Sequence, residues 1–278
     1  MDTKLQLRTY RRWDGLTADA VALLTSARED PFAIPLLVSP STAHARAVGQ
    51  AVADEVGVAA GLQGKTASAL RRELSQSLLD MDPQVDPWSG SALTLRIFDL
   101  LRPDDPNMAA VSEHVQACRV RGIAHADWTT AQQFSAVLQS LIHHSPAVLE
   151  QWRAGEDVDA EGSALPWDKA WWPHVWRLLH DDGHPDPMTQ LTRLCSALGA
   201  APLRWPSCVW ISPAAPEWQD YSLAQALSRR IPVTVLHLLP ACAEHSRWEP
   251  FNSVREHTNL RWHECVQQCG CLLYTSPS

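Results

Sequence analysis

Two strand-like segments open the chain, and each is followed by a helical pattern. Residues 4–10 alternate polar and apolar side chains, which is typical of a β-strand, and residues 16–24 place their apolar side chains on one helix face. A nearly all-apolar run at 34–40 predicts a buried strand. Ser41 or Thr42 is suited to N-cap the helix that follows this run. The amino-terminal part is therefore predicted to consist of β-turn-α units.

The middle of the chain has helical periodicity instead, interrupted by segments rich in Pro, Gly and Asp. Strand patterns return at 207–213 and 231–240, and the segment between them is predicted to be a crossover helix. The two ends are therefore predicted to form one α/β sheet that a helical block interrupts. The predicted boundaries are 1–66 and 199–250 for the two parts of the sheet domain, 67–198 for the helical domain, and 251–278 for a tail. The tail has no clear periodicity and ends like linker or out-of-frame sequence, so it is left out of the predicted fold.

Composition narrows the class of protein. The chain has 278 residues, of which 45% are hydrophobic, and it contains no run of the roughly 20 apolar residues that a membrane span requires. The amino terminus lacks the apolar core of a secretion signal, so we expect a soluble, cytoplasmic protein with free thiols. A net charge of −8 argues against an autonomous nucleic-acid binder, and any DNA contact is expected to be local.

Tryptophan is unusually frequent, with thirteen residues against four Phe and three Tyr. Trp167, Trp171, Trp172 and Trp176 recur at near-helical spacing. This spacing predicts one densely packed helix face in a core or a subunit interface, in preference to a base-stacking surface.

The triplet Gly64-Lys65-Thr66 has the ending of a nucleotide-binding phosphate loop. Such a loop needs G-x-x-x-x-G-K-[ST] directly after a buried strand, because its amides and the next helix terminus converge on the phosphates. Position 59 is Ala, and the triplet follows a helix and a short loop instead of the first strand. The pattern favours a polar loop before a helix that Thr66 or Ser68 caps, although an ATPase that uses Lys65 stays open as an alternative.

Two further clusters contain potential metal ligands. The sequence HDDGH at 180–184 ends an apolar helix face, and Gly183 favours a helix C-cap there over a metal site. His263, Cys265, Cys269 and Cys271 are irregularly spaced for zinc and lie within the tail. No serine-hydrolase elbow, zinc-protease helix or nuclease-like acidic cluster is present, so no catalytic residue and no metal site are predicted.

Four stretches, in this order, resemble the RecC (gamma) subunit family of exodeoxyribonuclease V, the RecBCD helicase-nuclease. They are DPFAIPLLVSPSTAHARAVGQAVADEVGVAAGL at 30–62, FSAVLQSLIHHSPAVLEQWRAG at 134–155, WWPHVWRLL at 171–179 and the segment 207–248. The resemblance spans roughly residues 3 to 248 and is to the family's N-terminal, helicase-like region. Family members are much longer, so this chain is expected to be truncated.

The resemblance implies a degenerate superfamily 1 helicase fold, which is a RecA-like P-loop sheet with an inserted all-helical domain. The turn YRRWDG after the first strand would correspond to a vestigial phosphate loop, and Gly64-Lys65-Thr66 would lie in a later loop beside the DNA channel. ATP and Mg²⁺ would then be bound by RecB-like and RecD-like partner subunits. The implied role is to guide the 3′-ended single strand and to read Chi during double-strand break repair by homologous recombination.

The residues expected to contact single-stranded DNA are polar or cationic and lie on the strand-end turn, on the later loop and its helix, and on the inserted helix. They are Ser39, Thr42, Arg46, Lys65, Thr66, Arg71, Arg72 and Gln139. Arginine and lysine among them would contact phosphates, which adds affinity that depends on salt but not on sequence. A domain that binds only protein partners is a further alternative, because the Trp-rich faces also suit an interface.

Overall fold

The computed structural model describes residues 5–26, 34–57, 59, 61–62, 64–82, 86–101, 105–181, 183–213, 217–238 and 273–275. The strands are β1 (Leu5–Tyr10), β2 (Leu36–Val38), β3 (Gly64–Lys65), β4 (Cys208–Ser212), β5 (Val233–Leu238) and β6 (Leu273–Thr275). The helices are α1 (Trp13–Thr25), α2 (Thr42–Val56), α3 (Ala67–Leu79), α4 (Gly90–Leu100), α5 (Ala109–Val120), α6 (Ala126–His144), α7 (Pro146–Arg153), α8 (Trp171–Asp181), α9 (Pro187–Leu198) and α10 (Trp218–Ser228). Short 3-10 helices span Pro106–Met108 and Trp167–Lys169.

The strands form one parallel sheet in the order β3-β2-β4-β5-β1-β6. All residues of β4 are buried, as are all but the last of β5, which is the pattern of central strands covered on both faces. The predicted α/β class, the strands near 34–40, 207–213 and 231–240, and the crossover helix are thereby confirmed. Strand β6 lies within the tail, which the predicted fold leaves out. The sequence does not predict this strand, because three residues at the edge of the sheet are too few to produce a periodic pattern.

The chain divides into two compact units, Met1–Met81 with Arg193–Ser278, and Asp82–Thr192. The first contains the sheet, and the described part of the second is helical apart from its connections. The boundaries differ from the predicted helical block at 67–198, because α3 and the end of α9 belong to the sheet unit.

A hydrophobic core lies between the sheet and the first two helices. It contains Leu16, Ala20 and Leu24 of α1, Ala45, Val48 and Val52 of α2, and Leu37, Val209, Ile211 and Leu236 of the strands. The apolar side chains recur every three or four residues along each helix, so one face of the helix covers the sheet. Burial of these side chains contributes roughly 1.5–3 kcal/mol each for the larger ones.

The second helix begins and ends with sequence-coded caps. The side chain of Ser41 accepts a hydrogen bond from the His44 amide at 3.2 Å, and Gly57 has a positive φ of 81° at the helix end. The cap is therefore Ser41, one of the two residues that the sequence offers.

The Trp-rich segment forms core in the second unit, as the spacing predicts, with one exception. Trp171 and Trp176 are buried, and the Trp176 Nε1 donates to the Leu149 carbonyl at 2.9 Å. Trp167 is 59% exposed, because it lies in the 3-10 helix that precedes α8 and not on the helix face itself.

Candidate nucleic-acid interface

The connection between β1 and α1 is only two residues long. The strand ends at Tyr10 and the helix begins at Trp13, so Arg11 and Arg12 alone join them. Arg12 has an extended backbone, and its side chain contacts Asp14 at 3.1 Å on the surface. A phosphate-binding loop of the G-x-x-x-x-G-K-[ST] type has eight residues. This turn is too short to wrap a phosphate group in backbone amides.

The Gly64-Lys65-Thr66 triplet does not form a loop of that kind either. Gly64 and Lys65 form β3 and pair with Leu37 and Val38 of β2. Thr66 caps α3 by accepting a hydrogen bond from the Ala69 amide at 3.2 Å, as one interpretation of the sequence predicts. A Cβ atom on Gly64 would lie 2.2 Å from the Cβ of Ala45, so glycine is required by the approach of α2 and not by a phosphate.

The side chain of Lys65 is already engaged. Its Nζ forms an ion pair with Oε2 of Glu73 on α3, and the other carboxylate oxygen of Glu73 accepts from Arg204 at 2.7 Å. The Lys65 side chain is 17% exposed. Lys65 therefore holds β3 to α3 and does not point freely into an open loop.

A crevice opens where β2 and β4 end, in the unit that contains the sheet. Its cavity volume is about 290 Å³. We call it the carboxyl-edge crevice, and it is lined by Val38, Ser39, Pro40, Thr66, Ala67, Ser68, Arg71, Trp210, Ile211, Ser212, Pro213, Glu217 and Asp220. In open parallel sheets, ligands bind outside the carboxyl ends of the strands, so this is the position where the fold places a site.

The crevice brings together three of the residues that the sequence predicts to contact DNA. Ser39 is buried, its hydroxyl donates to the Ser41 carbonyl at 2.8 Å, and its amide donates to the Lys65 carbonyl at 2.9 Å. Thr66 lies at the start of α3, and Arg71 projects from the second turn of the same helix. The start of α3 adds the positive end of a helix dipole to the crevice.

Arg71 is the cation of the crevice, and it faces two carboxylates. Its guanidinium lies 3.9 Å from the Asp220 carboxylate, which is longer than a hydrogen bond. Burial lowers the pKa of Arg71, while the negative charges of Asp220 and Glu217 act in the opposite direction. The group stays charged, because a guanidinium is not deprotonated in proteins.

The other predicted residues lie outside the crevice. Thr42, Arg46 and Arg72 are exposed, and they lie in the first two turns of α2 and α3. Both helices follow strands of a parallel sheet, so these turns are at the carboxyl edge. Gln139 is half-buried on α6 in the second unit.

Sequence reasoning missed the residues that β4 and α10 supply. Ser212 ends β4, Glu217 precedes α10, and Asp220 lies in its first turn. The signal was available in part, because polar residues directly after a predicted buried strand mark the carboxyl edge of a parallel sheet.

The HDDGH segment ends a helix, as its sequence indicates. Helix α8 stops at Asp181, and Gly183 has a φ of 88°. Within the described residues, no group of three or more His, Cys, Asp or Glu side chains is placed to hold a metal ion. His263, Cys265, Cys269 and Cys271 of the tail lie outside the described part. No helix in that part is long and apolar enough to cross a membrane.

Comparison with known proteins identifies the family. The matching family model is described as RecC, N-terminal domain, and it covers residues 5–268. This chain belongs to the RecC family.

Curated relatives carry the same name. The protein called RecBCD enzyme subunit RecC from Mycolicibacterium smegmatis is 25% identical over 192 residues, which are 66% of this chain and 16% of that protein. The protein of the same name from Mycobacterium tuberculosis is 26% identical over 199 residues, which are 66% of this chain and 17% of that protein. The chain thus spans about a sixth of the length of these relatives.

The RecC family match confirms the resemblance seen in the sequence. All four stretches that carry the resemblance fall within the matched range. The match also includes residues 251–268, the first part of the tail that the predicted fold leaves out.

Proposed function

We propose that this chain is the non-catalytic, DNA-binding part of a RecC subunit in a RecBCD-type helicase-nuclease, exodeoxyribonuclease V. Its role is to bind single-stranded DNA along the carboxyl edge of its sheet during double-strand break repair. Guiding the 3′-ended strand, reading Chi, and assembly in the cytoplasm with RecB-like and RecD-like subunits that bind ATP and Mg²⁺ belong to the same proposal. The family of the chain and the name of its relatives, RecBCD enzyme subunit RecC, support it.

The observation that carries the proposal is the grouping of predicted DNA contacts at one edge of the sheet. Ser39, Thr66 and Arg71 line the crevice, and Arg46 and Arg72 are exposed on the helices that begin beside it. Exposed arginines near helix starts suit the phosphates of an extended strand, because a guanidinium binds phosphate oxygens with two parallel hydrogen bonds.

The short first turn supports the absence of motor chemistry from this chain. With two residues between Tyr10 and Trp13, the first strand-to-helix turn is shorter than the loop with which a RecA-like motor holds nucleotide phosphates. A degenerate helicase fold with an inserted helical domain, as the resemblance implies, fits a sheet unit that is interrupted by a helical unit.

The test is a titration of the purified chain with fluorescently labelled single-stranded DNA across a salt series. The variants are Arg46→Gln and Arg72→Gln, and the matched control is Arg229→Gln. Arg229 is also exposed but follows α10 just before β5, at the opposite edge of the sheet. Each test variant is expected to reduce the slope of log K against log salt by about 0.7, the value for one phosphate contact with a single strand.

Two outcomes would overturn the proposal. One is absence of DNA binding by the unmodified chain at low salt. The other is an equal loss of affinity in Arg229→Gln, which would indicate attraction by overall charge instead of a localised surface. A duplicate titration with Chi-containing and scrambled strands tests sequence reading separately, because phosphate contacts alone give equal affinities.

A further inference from the structure

Arg71 is a partly buried cation that lines the carboxyl-edge crevice. Its side chain is 24% exposed, and its only described ion pair is with Asp220 at 3.9 Å. Across the described residues Arg71 donates no hydrogen bond, although a guanidinium carries five N–H donors. Because Arg71 lines the open crevice, these donors are accessible to acceptor oxygens of a group that enters it.

The crevice that contains Arg71 is also lined by two carboxylates. Asp220 lies in the first turn of α10 and Glu217 at its N-cap, so one helix start brings two carboxylates toward the guanidinium. Both carboxylates interact electrostatically with Arg71. A phosphate that approaches Arg71 therefore meets the carboxylate of Asp220 3.9 Å from the guanidinium, which weakens the attraction of Arg71 for the phosphate.

We propose that Asp220 is an affinity-determining residue that restrains Arg71 and competes with backbone phosphate for it. In the free protein the carboxylate holds the guanidinium in the crevice at a distance that leaves its donors available. A phosphate of the single strand takes the guanidinium from Asp220 only where the other contacts of the strand hold it in place. The inference rests on the proposed function, because it names how one position of that DNA surface is tuned.

The restraint has a consequence that a simple phosphate contact would not have. Removing Arg71 alone changes DNA affinity little, because its charge is already compensated. Removing the negative charge of Asp220 strengthens DNA binding, and it does so only when Arg71 is present. The two residues are therefore expected to be strongly non-additive, which a double-mutant cycle measures directly.

The experiment compares Asp220→Asn, Arg71→Gln and the double variant in the same DNA titration. Asp220→Asn is expected to raise affinity about three- to ten-fold and to steepen the salt slope by about 0.7, the value of one added phosphate contact. The double variant is expected to lose this gain. Asp54→Asn is the control, because Asp54 is exposed in the last turn of α2, at the other edge of the sheet.

A second variant protects the test against misfolding. Glu217→Gln removes the other carboxylate near Arg71 while leaving the Arg71–Asp220 pair, and a smaller rise in affinity is expected. Circular dichroism melts of all variants identify any that are unfolded, and Glu217→Gln then carries the comparison with Arg71→Gln.

A further titration adds inorganic phosphate to the Asp220→Asn variant at matched ionic strength. It distinguishes a site for the phosphates of a DNA strand from a site for free phosphate. Displacement of DNA by millimolar phosphate, without a gain in DNA affinity, would identify a free-anion site and overturn the inference. So would a gain that equals that of Asp54→Asn, or one that persists without Arg71. DNA binding by the unmodified chain is measured first, so failure of the inference is distinguishable from failure of the proposed function.

Discussion

Lys65 on β3 and Glu73 on α3 form an ion pair, and the same carboxylate also accepts a hydrogen bond from Arg204 at 2.7 Å. The lysine of the Gly-Lys-Thr triplet is thus held by the helix that follows it. A phosphate-loop lysine is instead directed toward the β- and γ-phosphates of a nucleotide. The arrangement gives Lys65 a structural role that can be separated from nucleotide binding by experiment.

Replacing Lys65 with Ala is expected to lower the free energy of unfolding by about 0.5–1 kcal/mol, because a partly exposed ion pair is lost while Glu73 keeps Arg204. Urea unfolding measures the change, and Arg204→Ala, at a more exposed position, is expected to cost less. Titration with a labelled ATP analogue should show no saturable binding to the unmodified chain or to Lys65→Ala. Saturable binding that Lys65→Ala abolishes would support the ATPase alternative instead.

Gly64→Ala is expected to destabilise the sheet unit by about 1–3 kcal/mol, because the added methyl group overlaps Ala45 and the backbone of α2 has to move. Gly49→Ala is the matched control, since a Cβ atom there meets nothing within 4 Å. In the interior of α2 this control is expected to stabilise by about 0.5–1 kcal/mol. Unfolding curves that move in the same direction for both variants would contradict the close approach.

Ionisation of the Tyr10 hydroxyl is expected to lower the stability of the folded chain at alkaline pH. Burial raises the pKa of Tyr10, and so does the hydrogen bond that its hydroxyl donates to Asp19. The folded value lies above the ordinary value of 10.0. The stabilisation is therefore complete below about pH 10 and is lost as the pH rises toward the folded value.

The comparison of the unmodified chain with Tyr10→Phe isolates this contribution. The buried thiol of Cys208 also has a raised pKa and titrates in the same direction, but it is common to both proteins. Above about pH 10 the unfolding free energy of the unmodified chain should fall more steeply than that of Tyr10→Phe. Parallel pH profiles of the two proteins would show that folding does not raise the pKa of the Tyr10 hydroxyl.

Trp176→Phe is expected to cost about 1–3 kcal/mol in the second unit, because the buried Leu149 carbonyl loses the hydrogen bond that the Trp176 N–H donates. Trp167→Phe changes the same residue type at an exposed position and is expected to stay within about 0.5 kcal/mol. Thermal melts of the two variants give the difference. Equal melting temperatures would mean that the Trp176 N–H contributes nothing.

The strands that the sequence predicts well are those with continuous apolar runs. Residues 208–212 and 233–237 are buried on both faces, so their hydrophobicity identifies them without any partner. Strand β3 has no such signal, because Gly64 and Lys65 become a strand only through pairing with Leu37 and Val38. Short edge strands depend on tertiary contacts that sequence periodicity does not contain.

Sequence patterns predict some of the residues that line the crevice but not others. Ser39 follows a recognisable buried strand and Thr66 precedes a recognisable helix, so local patterns identify both. Asp220 lies on a helix near the other end of the chain, and only the order of strands brings it to Arg71. An ion pair between distant segments cannot be inferred from either segment alone.

Because only two residues link Tyr10 to Trp13, point substitutions in this turn are not expected to create a nucleotide-binding site. A turn that has the right length and the wrong residues can be converted to a nucleotide site by point changes. This turn would need several inserted residues before any glycine or lysine in it could surround a phosphate. Engineering that aims to give the sheet its own motor activity must therefore lengthen the backbone first, and libraries of point substitutions at Arg11 and Arg12 are expected to yield no ATPase.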